Sequence, residues 1–369
     1  MLAPILQEET DGRPADDRPA KSRFFYGADF QRTERWHELS QPLCRTPPGT
    51  VSGADRRRAG NISGEFAQRT KYAERYLREW LSAMAAGGYI DYDPVSTRFS
   101  LSAEHARVLL DPDNPSYALG VVGWIPSLAG VMPQLMEAFR TGGGVPLEDY
   151  GMDFVDAQGF GTRPMFINGY VSKWIPAMPD IESRLKNGGR IAEVGCGIGW
   201  SAVALAKGFP KARIDAIDPD EASIKEARRN AEESGVASQI AFHQATIEEA
   251  SCQAPYDLVT AFECLHDMAY PVAALKRMRE LAAPHGAVLI ADEAVEDALE
   301  DNCNFMGHLF YNFSVLHCLP QAMVFPNAAG TGTVITPSTV KKYATEAGFA
   351  RVDILPIENP MFRFYRLTP

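Results

Sequence analysis

Apolar positions change their rhythm along this chain, and each change marks a region. Across residues 11–60 there is almost no rhythm, because only Leu39, Leu43 and Val51 are Leu, Ile or Val, among frequent Arg and Pro. Such a stretch supplies no core of its own. From Tyr72 to Ala86 a helical stripe of Tyr76, Trp80 and Ala83-Met84 appears, closed by Gly87-Gly88. Tyr89-Ile90-Asp91-Tyr92 and Arg98-Phe99-Ser100-Leu101 then flank Asp93-Pro94-Val95-Ser96-Thr97, which predicts a β-hairpin. Residues 103–185 read as mainly helical. Within them, 114–136 carry no charge and could span a membrane by length, but Gly120, Gly123, Pro126, Gly130 and Pro133 interrupt the run. Two buried helices broken at Trp124-Ile125-Pro126 are the better expectation.

Beyond residue 189, strand and helix patterns alternate. Strands are predicted at 191–195, 213–218, 240–244, 256–263 and 287–292, with helices at 200–207, 221–233 and 271–281. That alternation implies a parallel sheet covered on both faces. A last helix at 337–347 precedes strands at 351–357 and 361–367, and the tight turn Asn359-Pro360 between them makes the final strand antiparallel.

Composition narrows the function classes. At 46% hydrophobic and 22% charged, the chain has the make-up of an ordinary globular protein. A net charge of −11 argues against a nucleic-acid partner, since phosphate binding needs a basic face. The 6 cysteines show neither a C-x-x-C pair nor zinc spacing, so free thiols in a reducing cytoplasm are expected. The opening M-L-A-P-I-L-Q-E-E-T has too short an apolar run for a signal peptide, and no membrane role is expected.

The candidate chemistry begins at Ile191-Ala192-Glu193-Val194-Gly195-Cys196-Gly197-Ile198-Gly199-Trp200, a strand running through a glycine loop into a helix. Glycines there let the backbone turn sharply and approach a ligand beside free helix N–H groups. The next strand ends at Asp218, about twenty residues on, where a Rossmann fold holds the ribose hydroxyls. Glu193 would pair with a cationic amino acid part and repel a pyrophosphate. With G-x-G-x-G in place of G-x-G-x-x-G, it favours S-adenosylmethionine over a dinucleotide.

E-V-G-C-G-I-G, I-D-A-I-D-P-D and Y-D-L-V-T-A-F-E-C-L-H-D resemble, in order, the motifs of class I S-adenosylmethionine-dependent methyltransferases. The resemblance implies an α/β fold: a seven-stranded Rossmann-like sheet of order 3-2-1-4-5-7-6 with the last strand antiparallel. It implies that Glu193, Gly195, Gly197 and Gly199 hold the methionine part, Asp218 the ribose, and Thr246 and Ile247 the adenine. Cys196, Pro219 and Phe262 complete the expected cofactor site.

Leu265-His266-Asp267 matches the start of the L-H-D-W element of winged-helix O-methyltransferases, with Met268 in place of the tryptophan. The resemblance offers His266 as the general base, a task that a pKa near neutrality suits, with a hydrogen-bonded histidine that takes no part in the chemistry as the alternative. No metal is expected, because Asp292-Glu293 stands where catechol-type enzymes carry an Asp-Asn pair; these acids read as a solvated helix start. The aromatic run from Phe305 to Phe313, followed by His317-Cys318-Leu319-Pro320, would cover the acceptor pocket or pack in the core.

Residues 65–115 thus read as a partial winged helix, 116–188 as a helical, pocket-lining linker and 189–369 as the methyltransferase domain. The helix-and-wing element with E-R-Y-L-R-E-W-L resembles a bacterial group whose first domain serves dimerisation and pocket closure, implying a homodimer through the N-terminal half. The expected function is methyl transfer to an oxygen of a small-molecule acceptor. A DNA-binding regulator and an inactive cofactor binder are the alternatives, the first weakened because only Lys71, Arg75 and Arg78 are basic on its recognition helix. Residues 1–64 read as irregular, either a disordered extension or, over much of 11–60, translation out of frame. Back-translating 44–63 and reading one base later permits a peptide resembling the missing winged-helix segment, which the gene's DNA would test.

Overall fold

The computed structural model describes residues 62–369. The irregular segment and its frame question therefore lie outside the described residues, except that a helix, Ile62–Thr70, already begins inside 1–64.

The second helix, Glu74–Ala86, buries Leu77, Leu81 and Met84, a stripe with the helical period. This corrects the expected stripe: Tyr76 is 76% exposed, and Trp80 is only partly buried, stacked on Phe66 of the preceding helix at 6.5 Å. A face is chosen by what packs on it, and the helix Ile62–Thr70 covers the leucine side. The hairpin forms as β1 (Asp91–Asp93) and β2 (Arg98–Ser100), shorter than predicted.

The charge-free stretch also differs from expectation. Trp124-Ile125-Pro126 starts a helix, Trp124–Gly130, where Pro126 falls in the first turn and its missing N–H costs nothing. The break lies at Val131, where Leu119–Gly130 meets Met132–Thr141 with a bend of 61°. Neither helix is fully buried, since Ile125, Met136 and Phe139 are exposed. No single helix among the described residues is long and apolar enough to cross a membrane, although this bent pair passes on length and composition.

From residue 190 the chain forms a seven-stranded sheet of β3 (Arg190–Val194), β4 (Arg213–Asp218), β5 (Ile240–Gln244), β6 (Tyr256–Phe262), β7 (Ala282–Glu293), β8 (Arg351–Ile354) and β9 (Phe362–Thr368). Their spatial order is β5-β4-β3-β6-β7-β9-β8, with β9 antiparallel to both neighbours. This is the expected Rossmann-like methyltransferase topology. β7 starts earlier than predicted and β8 ends earlier.

Alternate residues of the central strands feed two cores. Ile191, Leu258 and Leu289 face one, packed by the helices Trp200–Gly208 and Pro179–Lys186. Ala192, Val259 and Val288 face the other, under Pro271–Leu281 and Pro337–Glu346. Burial on both faces is why these strands read as apolar runs. It also leaves the C-terminal ends of β3, β4, β6 and β7 side by side, where ligands bind in such sheets.

Candidate active site

A single cavity of about 1680 Å³ opens over those strand ends. Gly195, Cys196, Gly197, Gly199, Asp218, Pro219, Thr246, Ile247, Phe262 and His266 all line it, so the fold brings together almost every residue expected there.

One wall is backbone. Gly195, Gly197 and Gly199 have φ of 69°, 50° and 83°, a region glycine enters freely. Two of them are also sterically required: a Cβ on Gly195 would lie 2.7 Å from Cys264 Sγ, and one on Gly199 2.9 Å from Ala227 Cβ. The loop is tied to β4 by the Gly195 and Cys196 N–H groups, which both donate to the Ile217 carbonyl. Asp218 accepts from the Gly197 N–H at 2.8 Å and the Asp220 N–H at 3.0 Å. Burial nonetheless raises its pKa to about 6.

Glu193 departs from expectation. It does not line the cavity but lies buried behind the loop, accepting a short hydrogen bond from Ser201 at the start of the next helix. Alternation along β3 turns its side chain into the sheet's covered face. Burial pushes its carboxyl up to about 8, and its Oε2 has no hydrogen-bond partner.

The part of the cavity beside the glycine loop is built from side chains. His266, 1% exposed, shares Nδ1 with Asp292 Oδ1 at 2.6 Å and faces Glu293 Oε2 at 3.2 Å. Its Nε2 lies 3.1 Å from Asp267 Oδ1. Burial alone would push the imidazole pKa down, but Asp267, Glu293 and Asp292 outweigh it and raise it well above the ordinary value. Burial raises Glu293 and Asp292 in turn, and takes Glu263 to about 7. Glu263, directly after β6, has a φ of 48°, a strained left-handed backbone at the cavity edge.

Asp292 and Glu293 therefore form no solvated helix start: they close β7 at 0% and 5% exposure. Their own neighbours in sequence do not reveal this; it follows from the pairing of β6 with β7 as parallel neighbours whose ends reach the same crevice. His266, Asp292 and Glu293 place ligating atoms within 4.8 Å of one another, as do His266, Asp267 and Cys318, which chemically could hold a cation.

The segment between β7 and the last helix crosses the cavity mouth. Leu309, Phe310, Phe313, His317, Cys318, Gln321, Val324 and Phe325 line it, facing Trp124, Phe154 and Gln158 from the helical region. The sequence placed His317 in a segment that either covers the pocket or packs in the core, and the structure puts it on the cavity lining.

Residues 185–348 match the model of a methyltransferase domain, and 56–110 that of an Rv2258c-like winged HTH domain. A ubiquinone biosynthesis O-methyltransferase of Stutzerimonas stutzeri (strain A1501) is 28% identical over 187 residues, covering 49% of this chain and 73% of that protein. Among solved structures, PigF with SAH superposes with a TM-score of 0.64 at 17% identity, covering 91% of this chain and 94% of that one. An O-methyltransferase family protein from Burkholderia thailandensis gives 0.59 at 16%, covering 87% and 98%.

Proposed function

Since this chain belongs to the class I S-adenosylmethionine-dependent methyltransferases with an N-terminal winged helix, we propose that it methylates an oxygen of a small-molecule acceptor. One observation carries the reading: the glycine loop with Asp218 and the His266 cluster open onto the same cavity, at the C-terminal ends of neighbouring strands.

The loop suits the cofactor. Where a Cβ would stand on Gly197 there is nothing within 4 Å, so the backbone can meet a ligand directly. Asp218 is oriented by two N–H groups and offers its carboxylate to ribose hydroxyls. Thr246 and Ile247 flank the adenine position, Phe262 lies beneath, and Glu193 positions the loop from behind. S-adenosylmethionine, when bound, supplies a methyl group that leaves its sulfonium sulfur as the acceptor oxygen forms the new C–O bond.

In its neutral form, and with the acceptor hydroxyl taking the place of Asp267 Oδ1 at 3.1 Å from Nε2, His266 receives the acceptor's hydroxyl proton on Nε2, while Asp292 holds Nδ1 and fixes the ring. The surrounding carboxylates stabilise the imidazolium that results. Arg75 and Arg78, basic residues of the candidate recognition helix, are paired with Glu79 and Glu74. That favours pocket-building and pairing of two copies, by the half that exposes Tyr76, Met136 and Phe139, over DNA contact. The same reading assigns the chain to the cytoplasm, and the five described cysteines are all free.

The test is labelled methyl transfer into a cell extract with mass identification of the product, alongside calorimetry. S-adenosylhomocysteine should bind with an affinity on the order of micromolar and NAD should not. A product methylated on nitrogen or carbon would overturn the oxygen assignment, and preferential binding of NAD would overturn the cofactor site.

A further inference from the structure

We propose that His317 is a specificity-determining residue: its Nε2 binds a second oxygen of a planar aromatic alcohol whose first hydroxyl is the one methylated. The inference rests on the methyltransferase reading of the cavity.

The ring is in place before any ligand arrives. Ser314–Cys318 is a π-helical turn between the helices Phe305–Phe313 and Leu319–Ala322, a local distortion that often accompanies functional sites. His317 stacks on Phe154 with centroids 4.1 Å apart and meets the Tyr150 ring edge-on at 4.8 Å. Tyr150 is itself held by its hydroxyl donating to the Leu316 carbonyl at 2.8 Å. A histidine clamped on two sides by aromatic rings cannot turn away from the cavity it lines.

Its nitrogens have unequal company. Nδ1 lies 3.6 Å from Cys318 Sγ, and burial holds that thiol protonated, with its pKa raised to about 12. Nε2 has no hydrogen-bond partner, although the residue is only 7% exposed. Leaving such a group unmet carries a desolvation penalty that a docked polar atom removes. Burial also lowers the His317 pKa to about 4, so the ring is neutral at physiological pH. Nε2 is itself covered, so a ligand oxygen reaches it as neighbouring cavity side chains give way; the neutral imidazole then pairs with an oxygen function in either tautomer, a carbonyl if Nε2 carries the proton, a hydroxyl if it does not.

The neighbourhood supplies the rest. Cys318 Sγ lies within 4.8 Å of the ligating atoms of His266 and Asp267, so His317 stands beside the proposed base and not at a remote corner. Around both, Trp124, Phe154, Phe310 and Phe313 offer flat apolar faces, with Trp124 and Phe313 edge-to-face at 4.7 Å. A planar ring fits that space, and its two oxygens meet two histidines of opposite character.

The experiment uses the full chain saturated with S-adenosylhomocysteine and compares naphthol with a set of dihydroxynaphthalenes by calorimetry. In the native protein the best diol should bind about tenfold more tightly than naphthol. His317→Phe, which keeps a flat ring on Phe154, should erase that preference by weakening the diol alone, and His317→Asn should restore part of it. No preference in the native protein, no measurable binding of either probe, or equal weakening of both by His317→Phe would overturn the proposal. Labelled S-adenosylmethionine added to the same mixtures separates the two readings. A His317-dependent preference without methylation leaves this inference standing and sinks the transfer reaction; methylation with a His317-independent preference does the reverse.

Discussion

The two walls of the cavity are made differently. The cofactor wall is mainly one continuous stretch of strand, glycine loop and helix with the end of the next strand, joined by Thr246, Ile247 and Phe262. Its loop is held by backbone N–H groups that donate to Ile217 and to the one carboxylate, Asp218. The acceptor wall collects His266, Asp292, Glu293, Phe154 and His317 from four separate segments, and its contacts are side chains. A backbone cradle demands particular residues at particular spacings, because glycine enters φ of 50–83° without strain and alone allows the close approach to Cys264 and Ala227. A side-chain wall constrains only what finally faces the ligand. One wall is thus suited to a common cofactor and the other to a particular acceptor.

That contrast predicts separable losses. His266→Ala should lower kcat by roughly 10²–10⁴-fold while leaving S-adenosylhomocysteine affinity near normal, as measured by initial rates and calorimetry. Near-normal turnover would assign His266 to structure instead. The native pH profile adds a check. The imidazole must be neutral to take a proton, and its pKa is raised well above the ordinary value. Activity should therefore climb with pH along a limb lying above the usual histidine range.

On the cofactor wall the expected pattern is the reverse. Gly199→Val places branched atoms against Ala227 at a φ of 83°, and binding of S-adenosylhomocysteine should fall by about 10²-fold or more. Binding that survives in a folded Gly199→Val protein would show the loop to be less constrained than its geometry implies.

Asp218→Ala should weaken cofactor binding by roughly 1–3 kcal/mol, the cost of an unmet charged hydrogen bond, without changing the acceptor preference. Because burial raises Asp218 to about 6, native affinity should also decline as pH falls through 6 and the carboxylate is protonated. Unchanged calorimetric affinity in the variant would remove the ribose assignment.

The smallest effect concerns Glu193, behind the loop. Its folded pKa of about 8 lies above the ordinary 4.5, so the folded chain holds a proton that the unfolded chain releases. Between those values stability must fall as pH rises. Glu193→Gln keeps an acceptor for Ser201 and avoids the buried charge. Its melting temperature should exceed that of the native protein at pH 8 by on the order of 3 °C, with the gap closing towards pH 5. A gap that stays constant with pH would mean the carboxyl is not the titrating group.

The strands and the loop-to-Asp218 spacing were readable because each is a local or periodic property, whereas the strand order followed from the resemblance of the motifs to a known family. Strands apolar on both faces, turns that need glycine and an acid about twenty residues on leave their mark whatever packs around them. The same reasoning misjudged Tyr76, whose helix buries Leu77 and Leu81 against Ile62–Thr70, and the bend at Val131, where Pro126 could have stood at either end of a helix. Asp292 and Glu293 looked like solvated acids because nothing within five residues of them reveals that β6 and β7 close His266 between their ends. His317 became legible only once a π-turn set it on Phe154, about 160 residues earlier in the chain. Periodicity records which face of an element is buried; which neighbour buries it, and which distant charges then meet, depends on contacts between segments that carry no mark of one another.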